Sequence, residues 1–166
     1  MIKCCRNCHS TDTKMTNKEI AKILLEMSVL LEMDEAPFKP RAYEKAAQEI
    51  ESFEEEAKDV YKKGGIKSLT EIPGVGQGIA EHIEGLLKHR TFPEYEKLKK
   101  TYPVDIAELT SVQGVGPKMV KTLWHNLRIK NLADLELDAK EGKIEKLEVS
   151  VEKTEQKILK GIEFLK

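Results

Sequence analysis

Apolar residues recur along this chain at helical spacing. Ile20, Ile23, Leu24, Met27, Leu30 and Leu31 form one stripe behind Thr16 or Asn17, either of which can cap a helix. Ala36-Pro-Phe-Lys-Pro40 breaks that pattern, and a second helix is expected from near Pro40 through Ala42, Tyr43, Ala46, Ala47 and Ile50. Ser52-Phe-Glu-Glu55 reads as a capping box that opens a third, short helix ending at Gly64-Gly65. Further helices are predicted up to about His89, from Glu94 to Lys100, near Ala133 to Ala139, and at the end of the chain. Period-two alternation is never sustained, and the one strand-like fragment, Val149 to Val151, is too short to anchor a sheet. The expected fold is all-α. Tyr102-Pro103 is the expected boundary, because the residue before proline disfavours continuing a helix. It divides a helical region, 16–101, from a second one, 102–166, with residues 1–15 as a flexible leader.

Two stretches share one motif. Ile72-Pro-Gly-Val-Gly76 returns as Val112-Gln-Gly-Val-Gly116, and each runs into a helical stripe: Ile79 and Ile83 in the first, Met119 and Leu123 in the second. Lys67-Ser-Leu and Ile106-Ala-Glu-Leu can form the short helices that lead in. The chain therefore predicts two helix-hairpin-helix units. Glycine at the corner permits φ > 0 and close approach to the backbone. The helix start beyond it offers unpaired N–H groups and the positive end of a dipole. Such a corner suits a phosphate and carries little base specificity. The candidate phosphate-binding positions are Gly74, Val75, Gly76 and Gly78, then Gly114, Val115, Gly116 and Lys118. Neither turn spells a P-loop, G-x-x-x-x-G-K-[ST]. The plainer alternative is a helix–helix corner that needs glycine only for packing. A degraded third copy follows: Leu147-Glu-Val-Ser-Val151 stands at the turn and Glu152 to Ile158 at the helix. Valine replaces both glycines and resists φ > 0, so this copy is expected to pack and not to grip phosphate.

Charge changes the picture. Charged residues make up 34% of the 166 positions and the net charge is −1, against the basic footprint usual for nucleic-acid binding. Segregation can compensate, with Lys39, Arg41, Lys45, Lys88, Arg90 and Lys118 on a face away from Glu54 to Glu56 and from Asp134 to Glu141. Affinity should then be modest and strongly salt-dependent. No apolar run reaches the ~20 residues of a membrane helix. Met1 to Cys5 lacks the apolar core of a signal peptide, so a cytoplasmic location with reduced cysteines is expected. All three cysteines lie in the leader. Cys5-x-x-Cys8-His9 has the spelling of a haem-attachment site, which normally requires export. Cys4, Cys5, Cys8 and His9 are zinc-type donors, but only one CxxC pair exists; the plainer reading is a disordered leader.

Three anchors in order resemble the N-terminal portion of family X DNA polymerases: Phe38-Lys-Pro-Arg-Ala-Tyr-Glu-Lys-Ala-Ala47, Ile72-Pro-Gly-Val-Gly-Gln-Gly-Ile-Ala-Glu81 and Val112-Gln-Gly-Val-Gly-Pro-Lys118. The resemblance runs from about Asn17 to Lys166. It implies a lyase-like region that holds downstream DNA at a gap, then a fingers- or thumb-like region on the primer side. Residues of the family's polymerase palm do not occur in the sequence, so polymerisation by these residues alone is not expected. Lys39 and Tyr43 match residues that contact a 5′ phosphate. The family's Schiff-base lysine aligns with His82, which cannot form that iminium, and a second family lysine aligns with Gly78. Lys39 could substitute as the amine. The resemblance also implies a sodium or potassium ion on the carbonyls of Thr70, Ile72 and Val75, and on those of Thr110, Val112 and Val115. The function implied is sequence-nonspecific binding of gapped, nicked or 5′-phosphate DNA in base excision repair. Two alternatives remain: a 5′-deoxyribose-phosphate or abasic-site lyase, and an accessory subunit of a separately encoded polymerase or repair protein. The second would use an exposed stripe of Ile158, Ile162 and Leu165.

Overall fold

The computed structural model describes residues 15–147 and 154–165; residues 1–14 of the expected leader and all but Leu147 of the third copy's turn lie outside them, while Met15, expected in the leader, is buried in the core. The described residues form helices and connecting turns, with no strand. The helices are α1 Asn17–Met33, α2 Lys39–Ser52, α3 Ala57–Leu69, α4 Gln77–His89, α5 Pro93–Thr101, α6 Ile106–Thr110, α7 Pro117–Leu127, α8 Leu132–Lys140 and α9 Thr154–Leu165.

α1 is the spine of the molecule. It begins with a capping box: Thr16 Oγ1 accepts from the Glu19 amide at 3.3 Å, and Glu19 Oε2 accepts from the Thr16 amide at 2.7 Å. Its stripe of Ile20, Leu24, Met27 and Leu31 is fully buried. One face packs along α2, and the helix also touches α5, α6 and α7. The buried core is continuous from Met15 to Ile162. At the expected boundary, the Tyr102 hydroxyl donates to Asp34 Oδ1 at 3.2 Å and to the Met33 carbonyl at 3.4 Å, tying the link to the end of α1.

The start of α3 differs from the sequence expectation. Ser52 is no cap; its hydroxyl turns back onto the carbonyls of Gln48 and Glu49 at 3.0 and 3.2 Å. The helix starts after Glu56, and its first amide, Ala57 N–H, donates to Asn17 Oδ1 at 2.7 Å. An acceptor forty residues away does what the local serine was expected to do. Gly64-Gly65 does break the helix, with Gly65 at φ 65° and ψ −145°. The turn beyond it, Ile66 to Leu69, is the lead-in of the first hairpin.

α9 closes the second hairpin. Ile158 and Ile162 are buried in the core, so two of the three stripe residues expected to await a partner are already covered, while Leu165 is exposed. Gly161 sits against the turn: a Cβ there would lie 3.0 Å from Val112 Cγ1 and 3.1 Å from the Gln113 amide nitrogen. Glycine-to-alanine in a helix ordinarily gains up to ~1 kcal/mol. Here the overpacking penalty of ~1–3 kcal/mol dominates. Gly161→Ala should therefore lower the thermal midpoint; an unchanged or higher midpoint would show that α9 does not brace the turn.

Candidate nucleic-acid interface

The two glycine corners share one backbone design. The Val75 amide donates to the Ile72 carbonyl at 3.1 Å, and the Val115 amide to the Val112 carbonyl at 3.0 Å. These four apolar side chains are buried and anchor the corners. The first glycine supplies conformation: Gly74 stands at φ 77° and Gly114 at φ 96°. The second supplies room. Gly76 and Gly116 have ordinary extended φ values of −83° and −99°, and a Cβ on either would meet nothing within 4 Å. Each is the N-cap of the next helix, α4 or α7, and neither helix has a side-chain cap. Thr16, Asp105 and Asn131 cap α1, α6 and α8 with their side chains, while α2 and α5 also start without such a cap. The first-turn amides of Gln77 and Gly78, and of Lys118 after Pro117, therefore have no capping side-chain oxygen and belong to exposed residues. Gly74, Gly76, Gly78, Gly114 and Lys118 are exposed and Gly116 is half-buried.

The surroundings of the corners differ. At the first, a Cβ on Gly74 would lie 3.3 Å from Lys45 Cγ and 3.4 Å from Glu49 Cγ, so α2 flanks the turn and brings Lys45 beside it. The second opens on a cleft of about 1280 Å³ between the hairpin and the α1–α2 pair. Gly116 and Lys118 line one side, Arg41, Phe38 and Lys22 another, and Glu26, Glu32, Glu35 and Glu44 also reach it. Glu35 is taken up by Lys121 at 3.0 Å, and Glu26 accepts from the Tyr95 hydroxyl at 2.5 Å. The cleft is thus of mixed sign, and cations and carboxylates are not on opposite faces here. Of the other cations expected to form one basic face, Lys88 is tied to Glu84 at 2.8 Å and Lys39 to Glu94 at 3.5 Å.

The structure brings Lys39, Tyr43 and His82 together and adds a residue that sequence reasoning missed. The Tyr43 hydroxyl lies 2.6 Å from His82 Nδ1. Glu94, on α5, stands between Lys39 Nζ at 3.5 Å and His82 Nε2 at 3.6 Å. The His82 ring stacks on Phe92, centroids 4.1 Å apart and planes 9° apart. Burial pushes the imidazole below the ordinary histidine value, against the opposing pull of Glu94 and Glu81. Burial also raises the Tyr43 phenol, with Glu94 adding to it, so that hydroxyl stays protonated in its hydrogen bond with Nδ1. Burial thus favours the neutral ring, and Nε2 is the nitrogen on the Glu94 side. No local pattern signals Glu94, whose partners lie 55 and 12 positions away.

Phe38 is the other residue whose role was missed. It caps α2 in the left-handed region at φ 63° and is 93% exposed. A bulky side chain in that conformation is strained, and a solvated ring at a cleft rim is a ready stacking surface. The signal available in sequence was an aromatic inside Ala36-Pro-Phe-Lys-Pro40, where no helical stripe can bury it.

Cation chemistry at the corners is that of backbone oxygens. The Ile72 and Val112 carbonyls each accept a turn hydrogen bond and retain a second lone pair, so the donor sets with Thr70 and Val75, and with Thr110 and Val115, suit sodium or potassium chemically. Among the described residues no group of three His, Cys, Asp or Glu side chains converges to hold a metal. Cys4, Cys5, Cys8 and His9 lie outside those residues. No helix among the described residues is long and apolar enough to cross a membrane.

The all-α fold and the paired corners define a chain of two helix-hairpin-helix regions in tandem. Residues 15–92 match the model of a helix-hairpin-helix domain, and 106–163 match that of a SAM-like helix-hairpin-helix tandem. The chain is also similar to DNA polymerase/3′-5′ exonuclease PolX of Bacillus subtilis (strain 168), at 24% identity over 149 residues that make up 89% of this chain. It spans about a quarter, 25%, of the length of that curated relative.

Proposed function

We propose that this chain binds DNA without sequence specificity, through the sugar-phosphate backbone, and acts in DNA repair at gaps, nicks or 5′-phosphate ends. The observation that carries the reading is the pair of glycine-capped helix starts, built alike and open to a phosphate. In this reading residues 16–101 hold the downstream side, with Lys39 and Tyr43 near its 5′ phosphate, and 102–166 hold the other side. The N-terminus of α2 lies between the two anion sites: Lys39 serves the cluster with His82, while its neighbour Phe38 rims the cleft by the second corner. A strand interrupted by a gap suits that separation, with Phe38 stacking on an unpaired base. Mixed charge at the cleft keeps the backbone at its mouth beside Lys118, and affinity falls with salt in proportion to the phosphates that lysine and arginine neutralise. The similarity to PolX, named as a DNA polymerase, supports the same reading.

The test is a binding series over duplex, nicked, one-nucleotide-gapped and single-stranded DNA at several salt concentrations, with borohydride added in a parallel set. Tightest binding to the 5′-phosphorylated gap without a covalent adduct is expected. Equal affinity for all forms would remove the gap assignment. A borohydride-trapped adduct on incised abasic DNA would assign a lyase instead, with Lys39 the first residue to replace.

A further inference from the structure

The Lys39–Tyr43–His82 cluster contains an anion of the chain's own. Glu94 places one carboxylate oxygen 3.5 Å from Lys39 Nζ and the other 3.6 Å from His82 Nε2. The residues before it place its backbone. Pro93 opens α5 immediately before it, and Phe92 is buried with its ring on His82. Tyr43 holds the far nitrogen of the same imidazole at 2.6 Å. An anion that enters beside Lys39 therefore meets an ammonium and a carboxylate together.

That pairing discriminates by proton content. An ionised carboxylate only accepts hydrogen bonds. A terminal phosphate monoester, with a second pKa near ~6, is mostly a dianion at pH 7, but it can take up a proton for about a tenfold cost in population and donate it to such an oxygen. An internal phosphodiester has no proton to give and meets the carboxylate as a bare like charge. We propose that Glu94 makes this cluster selective for a terminal phosphate and turns away the continuous backbone. Rejection by an uncompensated charge is a common route to specificity. Placed at the end of a broken strand, such a residue would keep the first region from binding intact duplex in the same way. The inference rests on reading Lys39 and Tyr43 as a phosphate site.

Inorganic phosphate and sulfate reproduce the contrast, since sulfate carries no proton near neutral pH. The experiment follows the His82 ring resonances by NMR while each anion is titrated into the wild-type chain and into Glu94→Gln at constant ionic strength. Phosphate should bind the wild type at least fivefold more tightly than sulfate. In Glu94→Gln the two should come within about twofold, chiefly because sulfate gains. If both anions bind the wild type alike, or if the variant keeps the wild-type ratio, Glu94 is not the selector, although the anion site stands. If neither anion moves His82, the phosphate-site reading fails and takes the inference with it. Glu94 is half-buried at the start of α5 and glutamine keeps its shape, so a thermal melt of the variant should lie close to the wild type and show that the fold is intact.

Discussion

Replacing Gly76 and Gly116 together by aspartate is expected to abolish most DNA binding while leaving the fold as stable as before, or slightly more so. Both positions have ordinary extended backbone, and a Cβ on either meets nothing within 4 Å. Aspartate is a good N-cap residue and accepts from the first-turn amides, gaining a few tenths of a kcal/mol over glycine. Those are the donors assigned to DNA phosphates. The new carboxylate therefore both occupies them and repels the ligand. Hydrogen bonds to a charged group are worth ~1.5–3 kcal/mol, so losing both corners should weaken binding by about a hundredfold or more. Stability and affinity should move in opposite directions, a pattern that misfolding cannot produce. Substituting the other pair, Gly74 and Gly114, should behave differently. Their positive φ costs an L-residue ~1–2 kcal/mol each, so the melt should suffer along with the binding. If Gly76→Asp with Gly116→Asp binds gapped DNA as the wild type does, the corners serve only to pack helices.

The second large effect concerns stability. Asn17 is buried at the junction of α1 with the start of α3. Its side-chain oxygen takes the Ala57 amide at 2.7 Å, and its nitrogen donates to the carbonyls of Glu55 and Phe53 at 3.0 and 3.4 Å. Asn17→Ala strands a buried amide and loses its donor to the Glu55 carbonyl. Each unsatisfied buried group costs ~1–3 kcal/mol, so a loss of about 2–4 kcal/mol is expected. For a chain of this size that lowers the thermal midpoint by roughly 5–15 °C. DNA affinity below the transition should be retained, because Asn17 touches neither corner. A loss under about 0.5 kcal/mol in denaturant unfolding would mean that water replaces the asparagine and that the junction is not dry.

The helices and corners were legible because their signals are local. The Ile20 to Leu31 stripe, the Thr16 cap and the repeated glycine pairs each lie within one turn or one motif, and each forms the element expected of it. What escaped was set by distant contacts. Ser52 and Glu55 spell a capping box, yet Asn17 supplies the acceptor from forty residues away. Glu94 reads as a first-turn acidic residue of α5, and only the fold sets it against Lys39 and His82. Ile158 and Ile162 read equally well as an open or a closed stripe; Gly161 is what lets α9 settle on the second hairpin. The charge pattern was misjudged for a similar reason. Arg41 and Lys118 do share a cleft, but α1 brings carboxylates to it.

Amide NMR of the full chain titrated with a 5′-phosphorylated, one-nucleotide-gapped DNA tests the paired corners most directly. The amides of Gly76, Gln77 and Gly78 and those of Gly116 and Lys118 should shift together, saturate at one equivalent and return as salt is raised. Shifts confined to other surfaces, with both glycine corners unmoved at saturation, would contradict the assignment of these helix starts to DNA phosphates.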